Sequence, residues 1–181
     1  MPYDAPIESL DIRGPLSRRS AMEILSEHTR EAIDHWRAKY PPERRRSALL
    51  AALSAAQHQN DGFLTPDLMD AVAAYLDLPA IYVYEATSFY SMYEIQPVGR
   101  HSVSVCTNIS CMLCGADDIV AHIENKLGIK TGESTSDGRV YLKCEEECLA
   151  ACCGAPMMMV DHVYYENLTP ERVDEILDAL E

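Results

Sequence analysis

All seven cysteines of the chain fall between Cys106 and Cys153, and the first 105 residues hold none. Thiols used only as small buried hydrophobes would scatter through both halves of a chain. A disulfide framework prefers an even count behind an export signal. The N-terminus, Met1 to Ile12, is acidic and contains Pro2 and Pro6. A signal peptide would begin basic and turn apolar, and a mitochondrial presequence would be rich in arginine. Clustered cysteines in a chain of this kind point to metal or redox chemistry, and the chain is expected to be cytoplasmic.

Spacing admits several readings of those cysteines. Iron–sulfur clusters need soft thiolate ligands, and a [2Fe–2S] core takes four, two at each iron. One reading is the plant-type ferredoxin run, Cys106-x4-Cys111-x2-Cys114 with Cys144 some thirty residues on. It leaves Cys148 and Cys152 idle beside Gly154-Ala155-Pro156. A second takes two pairs, Cys106-x4-Cys111 and Cys148-x3-Cys152, each in a loop that follows a strand. If those strands are neighbours, both loops leave the sheet at one edge. A third is dithiol chemistry at Cys111-Met112-Leu113-Cys114, where a following helix would lower a thiol pKa. Structural zinc also tolerates pairs of such spacing.

The rest of the chain has two grammars. Residues 1–16, with Pro2, Pro6, Gly14 and Pro15, show no period and read as a mobile arm. From Ser17 the pattern is helical, and Pro41-Pro42 ends the first run. A second helix is expected over 43–59 and a turn at Asn60-Asp61-Gly62. Thr65-Pro66 caps a third, and a fourth follows Pro79 to about Tyr90. Helices this short need one another to be stable, so 17–96 is expected to form a helical bundle. Pro97-Val98-Gly99 marks the change. Ser102 to Val105 alternates as a strand, 115–127 is helical with Gly128 as C-cap, and 139–143 is a second strand. Residues 157–160 and 163–165 form a hairpin, and Thr169-Pro170 caps a last helix. The fold class is therefore α+β: an N-terminal helical bundle, then an α/β unit over 97–181 similar to a thioredoxin-like fold.

Charge narrows the partners. Fifteen basic against 29 acidic residues give a net charge of −14, which disfavours nucleic acid and anionic membrane. No apolar run is long enough to span a bilayer. Eight glycines include no Gly-x-Gly, so the dinucleotide and phosphate fingerprints are missing, and nicotinamide and flavin must sit on a partner. His28, His35, His58, His101, His122 and His162 are dispersed and mark no acid–base site.

These residues carry a resemblance. The segments Tyr40-Pro41-Pro42, Thr87 to Tyr93 and Pro97 to Arg100 lead into Val105-Cys106-Thr107-Asn108-Ile109-Ser110-Cys111 and Glu147-Cys148-Leu149-Ala150-Ala151-Cys152. With Gly154 to Met158 and Leu168 to Glu171, they make the chain similar to the small thioredoxin-like [2Fe–2S] ferredoxin subunit of bacterial NADH:quinone oxidoreductase, respiratory complex I. The resemblance runs from about residue 20 to the end. It implies one [2Fe–2S] cluster on Cys106, Cys111, Cys148 and Cys152, with Cys114, Cys144 and Cys153 outside the pattern. It also implies a partner flavoprotein that binds NADH and FMN, a neighbouring iron–sulfur subunit, and a place at the inner face of the plasma membrane through the complex. The equivalent subunit of an NAD-linked formate dehydrogenase or hydrogenase would look the same, and a dithiol reductase using Cys111 and Cys114 is the alternative of another class. Glu145 to Glu147 beside Cys148 would disfavour an added electron, so a low reduction potential is expected.

Overall fold

The computed structural model describes residues 16–143 and 148–181. The expected arm (bar Leu16), Cys144 and the acidic run Glu145–Glu147 lie outside the described residues. The chain divides into two compact units, one built from the chain up to Asn60 with Leu64–Tyr93, the other from Asp61–Phe63 with Glu94–Glu181.

The first unit is helical: α1 (Arg18–Ile24), α2 (Glu27–Arg37), a 3₁₀ segment (Pro42–Ala48), α3 (Leu49–Gln59), α4 (Pro66–Leu76) and α5 (Ala80–Phe89). The apolar period of residues 17–40 reads as one helix, yet the chain breaks at Leu25–Ser26. The Ser26 hydroxyl accepts from the Thr29 N–H at 3.1 Å and starts α2, the job a serine N-cap does. Thr65 caps α4 in the same way, accepting from Leu68 N–H at 3.2 Å, with Pro66 at the first helical position. Leu25, Ile33, Leu53, Leu64, Val72, Leu76 and Val83 are fully buried in one cluster. Each such side chain contributes about 1.5–3 kcal/mol by leaving water, which is what holds helices too short to stand alone.

The second unit is a five-stranded mixed sheet in the order β2-β3-β1-β4-β5. Its elements are β1 (His101–Val105), α6 (Ile109–Leu113), α7 (Ala116–Leu127), β2 (Glu133–Ser134), β3 (Val140–Leu142), a 3₁₀ turn (Cys152–Gly154), β4 (Met158–Val160), β5 (Val163–Tyr165) and α8 (Pro170–Asp178). β1 pairs parallel with β3, Val103 opposite Leu142, and antiparallel with β4, Val105 opposite Met158. Ile123, Val173 and Leu177 from the helices meet Val103, Val140, Leu142 and Met158 from the sheet in a second core. β2 and α6 are not legible in the sequence because two residues of strand and five of helix are too short to show a period.

The parallel pairing of β1 and β3 decides the layout. Parallel neighbours run the same way, so the chain leaves both at one edge of the sheet. Cys106 follows β1 directly, and Lys143, whose N–H donates to Val103 O at 2.9 Å, leads from β3 towards the loop of Cys148 and Cys152.

Candidate metal centre

The first loop turns sharply after β1. Asn108 caps α6 by accepting from Ile109 N–H at 2.9 Å, and this short helix carries Cys111 back beneath Cys106. Both cysteines are buried. They pack with Ala116, Leu149, Ala151 and Met157 in a small apolar cluster of their own. Cys106 N–H donates to Met157 O at 3.1 Å, which ties the first loop to the entrance of β4.

The second loop brings the other pair. Cys148 and Cys152 are exposed, with their Sγ atoms 3.4 Å apart. The two loops also meet at sulfur: Cys106 lies near enough to the Cys111 and Cys148 thiols for both to act on it. The four sulfurs thus converge from two loops. Cys114 and Cys153 are exposed and stand outside it, and Cys144 lies outside the described residues.

Backbone N–H groups converge on the same sulfurs. Burial works against the Cys106 thiolate, yet N–H donors from Leu149 and Asn108, with the Cys111 and Cys148 thiols, hold its pKa below the usual thiol value. Cys111 goes the other way. Burial and its bond to Cys106 push it up to about 11, against a single N–H from Met157. At Cys148 the Ala150 N–H favours the thiolate. The hydrogen bond to Cys152, burial and the neighbouring sulfurs outweigh it and raise the pKa.

This donor set fits a diiron core. Its four soft sulfurs come as two pairs, and peptide N–H groups aimed at sulfur offset thiolate charge. Structural zinc asks for four ligands about one ion, whereas a [2Fe–2S] core spreads two ligands over each of two centres. For dithiol chemistry, Cys111 is buried in one cluster with Cys106 while Cys114 stands exposed outside it.

Known proteins share this chain's family. A family model described as "Thioredoxin-like [2Fe-2S] ferredoxin" matches residues 33–181. The chain belongs to the thioredoxin-like [2Fe–2S] ferredoxins. Its cofactor is accordingly one [2Fe–2S] cluster. This ferredoxin is 45% identical over 142 residues to the E subunit of the NADH-quinone oxidoreductase of Rickettsia bellii, covering 78% of this chain and 84% of that protein. It is 41% identical over 150 residues to the E 2 subunit of the NADH-quinone oxidoreductase of Rhizobium meliloti, covering 83% and 87%. Among solved structures, the NAD+-reducing [NiFe]-hydrogenase in its air-oxidised state superposes with a TM-score of 0.60 at 19% identity. It covers 71% of this chain and 22% of the hydrogenase chain, a likeness of fold alone.

Two histidine–carboxylate pairs leave no mark in the sequence. His101 Nδ1 lies 2.6 Å from Asp161 Oδ2, and His122 Nε2 lies 2.8 Å from Asp174 Oδ1. Their partners are 60 and 52 residues away, and only the fold joins them. No helix among the described residues is long and apolar enough to cross a membrane.

Proposed function

We propose that this ferredoxin is the electron-transfer subunit of an NADH:quinone oxidoreductase, and that Cys106, Cys111, Cys148 and Cys152 ligate its [2Fe–2S] cluster. The observation that carries the ligand assignment is the convergence of those four sulfurs from two loops, Cys106 with Cys111 in one buried cluster and Cys148 3.4 Å from Cys152. The role in the complex rests on 41–45% identity to E subunits over most of both chains.

The cluster, when bound, takes up and releases one electron at a time. The chain's own residues supply the rest. Cys106 and Cys111, buried among Leu149, Ala151 and Met157, keep water from one side. N–H groups of Asn108, Leu149, Ala150 and Met157 face the sulfurs and soften the charge that reduction adds. Cys148 and Cys152, being exposed, give the side by which electrons enter and leave. Residues 97–181 act as the cluster domain and 17–96 as a helical domain. The electron partner is a flavoprotein subunit bearing FMN and the NADH site, beside a further iron–sulfur subunit. The assembly holds the chain at the inner face of the plasma membrane.

Two measurements test this. The purified chain should hold about two irons and two sulfides and give an S = 1/2 resonance on reduction. Serine at Cys106, Cys111, Cys148 or Cys152 should abolish or reshape that signal, and serine at Cys114, Cys144 or Cys153 should leave it. Retention in Cys148→Ser with loss in Cys114→Ser and Cys144→Ser would force the plant-type set. NADH should reduce the chain only when the flavoprotein is present; reduction of the chain alone would refute the division of labour.

A further inference from the structure

The end of the second cysteine loop is held by a neighbour that the ligand set does not include. Gly154 is buried, two residues after Cys152. A Cβ placed on it would lie 2.6 Å from Glu166 Cβ, 2.6 Å from Cγ and 2.5 Å from Cδ. The whole stem of Glu166 therefore lies across the Gly154 backbone. Only the far end of that stem could swing away; its Cβ could not. Two main-chain bonds fasten the same place: Asn167 N–H donates to Gly154 O at 2.7 Å, and Leu168 N–H to Pro156 O at 2.9 Å. Gly154 N–H donates in turn to Ala151 O at 3.0 Å, which closes the turn carrying Cys152.

The contact also sets an acidic side chain against the backbone two residues after Cys152. Glu166 is exposed, and no basic side chain is paired with it among the described ion pairs. A negative charge close to a cluster disfavours the reduced form, which is more negative than the oxidised one. Solvent exposure limits the size of this effect but not its sign.

We propose that Glu166 is a positioning residue for the second cysteine pair: its stem, laid across Gly154, sets the turn that presents Cys148 and Cys152, and its carboxylate lowers the potential of the cluster they hold. The inference rests on the ligand set proposed above. The charge that sets the potential then includes a residue well apart in sequence from the cysteines, brought there by the strand β5 that precedes it.

The two roles separate by substitution, each measured on the full-length, cluster-loaded chain. Glu166→Gln keeps the stem and removes the charge. Iron and sulfide content should stay at the wild-type level, and the midpoint potential from an EPR-monitored titration should become more positive. A threefold change in the reduction equilibrium, roughly 30 mV for one electron, is the expected scale. A potential equal to that of the wild type overturns the electrostatic role. Gly154→Ala should lower cluster content and alter the EPR signal. Full loading of Gly154→Ala with an unaltered spectrum overturns the latch. If Gly154→Ala does not fold, Glu166→Gly alone is the measure: an altered spectrum at normal helix content supports the latch, and an unaltered one overturns it. The ligand set fails by a different result, retention of the signal in Cys148→Ser or Cys152→Ser.

Discussion

Ala150 donates its main-chain N–H to the Cys148 sulfur at 3.4 Å while its own φ stands at +62°. A left-handed alanine costs roughly 1–2 kcal/mol. Positive φ at Ala150 redirects the chain that follows towards Ala151 and Cys152, while its N–H holds the sulfur behind it. Conformational strain and a hydrogen bond to sulfur thus meet at one residue.

Substitution at Ala150 should split those terms. Proline cannot adopt positive φ and has no N–H to give. Ala150→Pro should therefore load little or no cluster while the helical unit still folds. Glycine accepts positive φ without the steric penalty. Ala150→Gly should load as the wild type does and unfold no more easily. Iron analysis with urea denaturation checks both, and normal loading of Ala150→Pro would contradict the role of this N–H.

Gly99 offers a test of the sheet. Its ideal Cβ would lie 2.5 Å from the Val140 carbonyl carbon and 2.7 Å from Tyr141 N, both main-chain atoms of β3. Gly99 N–H also donates to Ser134 Oγ at 3.0 Å, fixing the approach from β2. Neither partner can yield without moving a strand. Gly99→Ala should cost about 2–3 kcal/mol, the scale of overpacking a well-filled site. The midpoint in urea should fall accordingly; an unchanged midpoint would mean that the strands part freely.

What could be read from the residues alone was mostly local chemistry. Thr65-Pro66 and Thr169-Pro170 announce helix starts because a hydroxyl and a proline act within one turn. Gly128 closes α7 at φ +67° for the same kind of reason. The break at Ser26 is hidden because the apolar stripe continues through it, although Ser26 and Thr29 carry the cap signal. For the site, the two pairs could be named, but their union needed β1 and β3 to be adjacent and parallel. That is a long-range fact. The lie of Glu166 on Gly154 and the pairing of His101 with Asp161 are of the same kind and left no trace in spacing.

The last helix depends on its cap. Thr169 Oγ1 accepts from Arg172 N–H at 3.3 Å, and α8 then buries Val173 and Leu177 in the second core. Thr169→Ala leaves an N–H of the first turn without its side-chain acceptor and should cost about 1 kcal/mol, while Thr169→Asp should be close to neutral. Denaturation midpoints check this. Equal loss in both would assign the effect to the methyl group and not the cap.

The pairing of His101 with Asp161 makes stability depend on pH in a definite direction. The hydrogen bond to Asp161 raises the His101 pKa; burial opposes it, the Glu181 carbonyl and the Asp161 charge add to it, and Arg100 works against it. Folding therefore favours the charged imidazole. A folded pKa above the unfolded one means stability that is fully present below the ordinary histidine value. It is lost as pH rises through the higher folded value. Asp161 also accepts from Ser102 N–H at 2.9 Å, so the histidine is the cleaner residue to change. The stability gap between wild type and His101→Asn should be widest near about pH 5.5 and smallest near about pH 9. Both side chains are partly open to water, so the pH-dependent part should stay below about 1 kcal/mol. A gap that stays level across that range, or widens towards alkaline pH, would show that the ion pair does not contribute in this sense.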